Sequence, residues 1–274
     1  LLALLQVGAK FNMAYADKLK GFPSVYTINL EESVDRREYM TNQFIKYGIK
    51  YTISTIPRYV TFKDKISVDV NSPVGVPPDL HMQVWDLHIG ATISFIDIMN
   101  YWYNNTDEEY AIFCEDDISF ESIEYWNFTW EEFYSRLPHN WECLQLIRMH
   151  SDLTPNCINE LQLDFRWGRW WGSSFMFRRS HVKRLLDILY VGKGKYKITS
   201  QNGTYDPCVE NCLSFNYNTV CNFPLLFENN FNLTPVDGKM SGLNDSKLIS
   251  NYIIRHYWKM LGKDLNLDDV MIEK

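Results

Sequence analysis

The sequence predicts an α/β fold in which a mostly parallel central sheet is flanked by helices, and three observations predict it. The chain opens on a strand–helix–strand order, Val25–Leu30, then a helical stretch to Tyr47, then Tyr51–Ile56. Such an order calls for a crossover between parallel strands. Short apolar runs and longer helical stretches keep alternating through residue 190. The composition, 46% hydrophobic and 15% aromatic over 274 residues, is that of a globular chain able to bury a large core.

Taken in order, Val25–Leu30 is β-branched and aromatic, and it is entered from Gly21-Phe-Pro23, as strands often are. Ser33 is a candidate N-cap for a helix carrying Met40, Phe44 and Ile45, and Gly48 closes that helix. Residues 57–80 hold Pro57, Pro73, Pro77, Pro78 and Gly75 and are expected to form an irregular loop. A helix is expected from Asp86 to Tyr103, with Leu87, Ala91, Phe95 and Met99 on one stripe. The run Tyr110–Cys114 reads as a strand, Trp130–Leu137 as a helix, and Cys143–Ile147 and Trp170–Arg178 as strands. A helix from Ser180 to Tyr190, a polar loop from Gly192 to Gly203 and a helix from Pro207 to Phe215 follow, and the last helix is Leu248–Met260. Residues 1–22 are expected to be an N-terminal extension or remnant, and 23–274 a single domain.

A net charge of −7 argues against nucleic-acid binding, which needs a basic face. No run approaches the roughly 18–20 apolar residues of a membrane span. Six cysteines without a Cys-x-x-Cys pair disfavour a structural zinc site. Five glycosylation sequons, beginning at Asn104, Asn127, Asn202, Asn232 and Asn244, leave the compartment open between the cytoplasm and the secretory lumen.

The chemistry concentrates at Glu115-Asp116-Asp117, directly after the apolar strand. Three adjacent carboxylates repel one another, so gathering them at a buried strand end calls for a compensating cation. Their hard oxygens suit Mg²⁺ or Mn²⁺, and the competing reading is a solvated acidic turn. Asp117 is the first choice for a metal ligand, and strand alternation puts Glu115 on its side. Glu115 or Asp116 is the candidate to complete the shell or to hold a ribose.

Three segments resemble glycosyltransferase family 25. Tyr26 to Arg37 reads Tyr-Thr-Ile-Asn-Leu-Glu-Glu-Ser-Val-Asp-Arg-Arg, like that family's opening strand and the helix after it. His88 to Phe95, followed by Ile112 to Ile118 with its Glu-Asp-Asp, is similar to the family's Gly-x-x-x-Ser helix and acidic strand end. Phe95 stands where that family usually has a His. Trp171 to Ser180 is similar to its small-residue strand before a helix. The resemblance implies a GT-A-like, Rossmann-related fold and a galactosyl- or glucosyltransferase that inverts the anomeric carbon. It also implies a UDP-sugar donor and a Mn²⁺ or Mg²⁺ cofactor. The acceptor that it implies is a hydroxyl on a glycan, a lipid-linked sugar or a protein.

Under that resemblance Asn29 is a candidate reader of the uracil edge and equally a turn-capping residue. Arg36 and Arg37 sit in a helix's first turn, where cations oppose the macrodipole, so a phosphate or carboxylate partner is expected. Gly172, Ser173 and Trp171 line a candidate sugar subsite, since indoles stack on sugar C–H faces and small residues admit a ring. Asp206 is the candidate base, with Glu210 as alternate, although Asp206 is also a natural N-cap. His256 is a candidate third metal ligand, its rival role being a core-edge imidazole. A non-catalytic binding module of the same fold and a metal-dependent phosphoesterase are the alternatives.

Overall fold

A computed structural model describes residues 3–5, 15–70, 78–147, 173–198, 209–213, 220–229 and 252–271. Its centre is a seven-stranded sheet of β1 (Ala3–Leu5), β2 (Val25–Leu30), β3 (Tyr51–Ile56), β5 (Tyr110–Glu115), β7 (Cys143–Gln145), β8 (Ser174–Arg178) and β11 (Val220–Asn222). The spatial order is β1-β3-β2-β5-β8-β7-β11. Strands β3, β2 and β5 run parallel, β8 opposes both β5 and β7, and β11 runs parallel to β7. The sheet is therefore mostly parallel with an antiparallel insertion. Residues of the N-terminal extension join it, since β1 pairs antiparallel with β3 and Leu19 lies in the core.

Side chains alternate across the sheet as strand geometry requires. Ile112 and Cys114 of β5 face one apolar cluster, while Ala111 and Phe113 face the other. The first cluster is covered by α1 (Val34–Tyr47), α4 (Trp130–Ser135) and a helix, α7, at 252–261. The second is covered by α3 (Pro78–Asn105), α5 (Arg179–Leu189) and α6 (Val209–Leu213).

Helix α1 ends where the sequence places its stop. Gly48 adopts φ 70°, a left-handed geometry that glycine tolerates best, and Ile49 N–H reaches Phe44 O at 2.9 Å. Its buried face is Met40, Gln43, Phe44 and Tyr47, and Ile45 is exposed. The stripe on α3 also differs from expectation: Leu87 is exposed, and Ile89, Ile93, Ile96 and Met99 carry the buried face with Phe95 and Trp102. Phe95 meets Phe175 edge-on. Gly90 lets the chain before α3 approach, because a Cβ there would lie 2.8 Å from Tyr59 Cβ.

Two stretches expected to be loops contain regular elements. The first holds α2 (Tyr59–Phe62) and β4 (Ser67–Val70), and the second holds β9 (Tyr190–Gly192) and β10 (Lys195–Ile198). β4 and β10 pair parallel and β9 closes a three-stranded sheet with them. Pairing segments more than a hundred residues apart leaves no local pattern to read. No helix among the described residues is long and apolar enough to cross a membrane.

Candidate functional site

Strand β5 ends at Glu115, the chain turns through Asp116 and Asp117, and β6 (Ile118–Ser119) continues beyond. The turn lies at the carboxyl edge of the parallel strands, where α/β sheets place their ligands. Register brings β2 alongside, with Ile28 opposite Glu115. The next residue, Asn29, donates from Nδ2 to Asp116 Oδ2 at 2.6 Å and to Ser33 O at 3.0 Å. Its Oδ1 accepts from Arg37 Nη1 at 2.7 Å. These bonds make Asn29 a brace that ties the acidic turn to the entrance of α1.

Arg36, in the first turn of α1, donates from Nη1 to Asp116 Oδ1 at 3.1 Å and lies 3.7 Å from Asp117 Oδ2. The acidic turn thus supplies the carboxylate partner that a cation at a helix N-terminus requires. Asp116 and Asp117 are 7% and 6% exposed. Burial and the neighbouring Asp117 carboxylate raise the Asp116 pKa, against the opposing pull of Arg36 and Asn29. Burial works to lower the Arg36 pKa, but Asp117 and Asp116 outweigh it and raise the value, with Glu115 adding the smallest share.

Strand alternation does not govern this pairing. It puts Glu115 and Asp117 on one side, whereas one Arg36 nitrogen is close to both Asp116 and Asp117. The strand ends at Glu115, so a period of two no longer applies in the turn that follows.

Four residues outside the sequence motifs complete the geometry. Gln43 of α1 donates to Ile118 O at 2.8 Å and accepts from Phe120 N–H at 2.7 Å, clamping the backbone beyond the turn. Glu228 lies on β12 (Phe227–Glu228), which pairs antiparallel with β6, opposite Ile118. Next to it Asn229 N–H donates to Asp117 O at 2.6 Å. The Glu228 carboxylate is 3% exposed and accepts from Ser173 Oγ at 2.8 Å, while Ser173 O accepts from Glu115 N–H. Ser173 therefore links Glu115 to Glu228. Arg255 of α7 pairs with Glu121 and lies over the Phe227 ring at 5.6 Å. Glu228 had no motif to announce it, because only the β6–β12 pairing brings it to Asp117.

His256 departs from its expected place. It is exposed on α7, its ring stacked on Tyr252 at 6.1 Å, while Arg255 is the neighbour that turns toward Glu121 and β12. Helical spacing of four residues makes the Tyr252–His256 contact. Asp206, Gly172 and Trp171 lie outside the described residues. Glu210 falls on α6, with its side chain outside them.

Among the described residues no three His, Cys, Asp or Glu side chains are grouped to hold a metal ion. The donor chemistry of Asp116 and Asp117 nevertheless fits Mn²⁺ or Mg²⁺, which are commonly bound by one or two carboxylates and complete their shell with phosphate oxygens and water. Fold and geometry together define an α/β protein with a buried acidic turn, braced by an amide and a guanidinium, at the carboxyl edge of its sheet. No protein-family model matches the chain, and no curated protein matches it.

Proposed function

We propose that the chain is a metal-dependent inverting glycosyltransferase that moves a galactosyl or glucosyl group from UDP to a hydroxyl acceptor, in the manner of family 25. The observation that carries this reading is the pair of adjacent buried carboxylates at the sheet's carboxyl edge, with Arg36 and Arg37 on the helix beside it.

In a single displacement the acceptor oxygen bonds to the anomeric carbon as the bond from that carbon to the diphosphate oxygen breaks. The acceptor proton passes to a base, and the departing diphosphate gains negative charge. Asp117, with Asp116, would hold a divalent ion, which when bound would supply Lewis-acid stabilisation of that charge. Arg36 adds a guanidinium fork suited to phosphate oxygens. Asn29 fixes the acidic turn against α1, so the ligand oxygens need little reorganisation. Ser173 and the adjoining Gly172 and Trp171 are the proposed sugar-facing residues.

For the base, Asp206 and Glu210 remain proposals from the sequence. Glu228 joins them because its buried carboxylate is held by Ser173 one strand from the acidic turn. The variants Asp206→Asn and Glu228→Gln separate them. Replacing the base is expected to lower kcat by 10²-fold or more with little change in donor KM, and equal loss of both parameters counts against the residue tested.

The primary experiment incubates the protein with a panel of nucleotide sugars and Mn²⁺ and follows UDP release and sugar transfer. Metal-dependent turnover of one UDP-hexose is expected. Cleavage of phosphodiesters without sugar transfer would point to a phosphoesterase instead. Binding of UDP-sugars without turnover would leave a non-catalytic module.

A further inference from the structure

We propose that Arg36 is the resident counter-cation of the Asp116–Asp117 pair and is exchanged for the divalent ion when donor binds, turning from the carboxylates onto the diphosphate. This inference rests on the glycosyltransferase reading and deepens it by giving Arg36 two successive partners.

Both carboxylates are engaged by a single guanidinium nitrogen, at 3.1 Å from Asp116 Oδ1 and 3.7 Å from Asp117 Oδ2. A metal ion bound to those oxygens would sit within a few ångströms of that positive charge, so the two cations compete. The Arg36 side chain is 29% exposed, which leaves it an outlet toward solvent and an entering anion. Its backbone is not free to follow: α1 is anchored by Met40, Phe44 and the double-bonded Gln43. The movement is therefore confined to the side chain, pivoting on a fixed helix.

Arg37 contrasts with it. Its guanidinium donates to the Asn29 side-chain Oδ1 at 2.7 Å and to Glu31 O at 3.4 Å, so it stays as a brace while Arg36 exchanges. The exchange also gives an order of events. Metal alone must displace Arg36 with nothing for it to turn to, whereas metal arriving with a diphosphate offers the guanidinium new acceptor oxygens. Metal and nucleotide should then bind with positive coupling, each tightening the other by the same factor.

The test measures Mn²⁺ binding by calorimetry and by the electron paramagnetic resonance of free Mn²⁺, with and without UDP. In Arg36→Gln, Mn²⁺ alone is expected to bind about tenfold or more tightly than in the wild type, because a competing charge is gone. UDP binding at saturating Mn²⁺ is expected to weaken by a similar factor, and the coupling between the two to shrink. Arg36→Lys, which keeps a positive charge and guards against misfolding of the neutral variant, is expected to keep Mn²⁺ affinity near the wild-type value. Lys183→Gln removes an exposed charge on α5 that is paired with Asp187 and is expected to change neither. Unchanged or weaker Mn²⁺ binding in a folded Arg36→Gln protein, beside a wild type that binds Mn²⁺ and UDP, overturns the exchange and leaves the glycosyltransferase reading standing. A wild type that binds neither overturns that reading, and the exchange with it.

Discussion

Glu108 and Asp117 bracket one strand, and the two ends of that strand treat their carboxylates in opposite ways. At the amino end, Glu108 receives Ser24 Oγ at 2.5 Å, Lys50 Nζ at 2.7 Å, Trp102 Nε1 at 2.9 Å and Tyr26 OH at 3.4 Å. Burial alone would raise its pKa, but the bonds from Lys50, Ser24 and Trp102 win and hold it below the ordinary value. At the carboxyl end, Asp116 and Asp117 share one guanidinium, and the Asp116 pKa goes up. One end of the strand is a finished structural hub that ties β2, β3 and α3 together. A buried carboxylate whose pKa is pushed up beside a second one is a place to look for a ligand.

The comparison breaks most sharply on activity. Asp117→Ala is expected to lower UDP-hexose turnover by roughly 10³-fold or more while leaving the thermal midpoint near that of the wild type. Undiminished turnover would remove the acidic turn from the chemistry. The mirror variant is Glu108→Gln, which strips a charged acceptor from Lys50, Trp102 and Ser24. It is expected to cost about 2 kcal/mol of stability, read from denaturant midpoints, with UDP and Mn²⁺ affinities unchanged. Loss of ligand binding there would mean that the two ends are coupled through β5.

Smaller effects sharpen the contrast. Asp116→Asn removes like-charge repulsion and is expected to stabilise the ligand-free protein by about 0.5–1 kcal/mol at neutral pH. The pH dependences should then run in opposite directions. The folded-state pKa of Glu108 is depressed, so its contribution is present above the unfolded value and is lost as pH falls through the folded one. The deficit of Glu108→Gln should shrink on acidification. The folded-state pKa of Asp116 is raised, so its penalty grows as pH rises from the unfolded value through the folded one. The advantage of Asp116→Asn should vanish on acidification. Thermal midpoints of the three proteins between pH 3 and 8 check both trends, and parallel curves would show that the two carboxylates are not treated differently.

Much of the frame was legible in the chain. Val25–Leu30, the helix stop at Gly48 and the apolar run before Glu115 each announce themselves by local pattern, and all appear as elements. So did the acidic triplet, because charge directly after a buried run has few structural explanations. Other features were not legible. Ile45 and Leu87 are apolar yet exposed, since a one-position rotation of a helix stripe is invisible until its neighbours are known. Glu228 and Gln43 belong to the site through contacts across many residues of sequence. The parallel pairing of β4 with β10 has the same origin.

By itself, then, the sequence determined β2, β3, β5 and the helix α1 between the first two, and it determined that carboxylates collect after β5. Both follow from interactions between residues close in the chain. Only the tertiary structure decided which carboxylates stand together and what opposes their charge. The register of β2 against β5 sets Asn29 beside Asp116, and the packing of α1 delivers Arg36 to Asp116 and Asp117. Electrostatic balance depends on distances of a few ångströms between side chains remote in sequence, and folding alone fixes those distances.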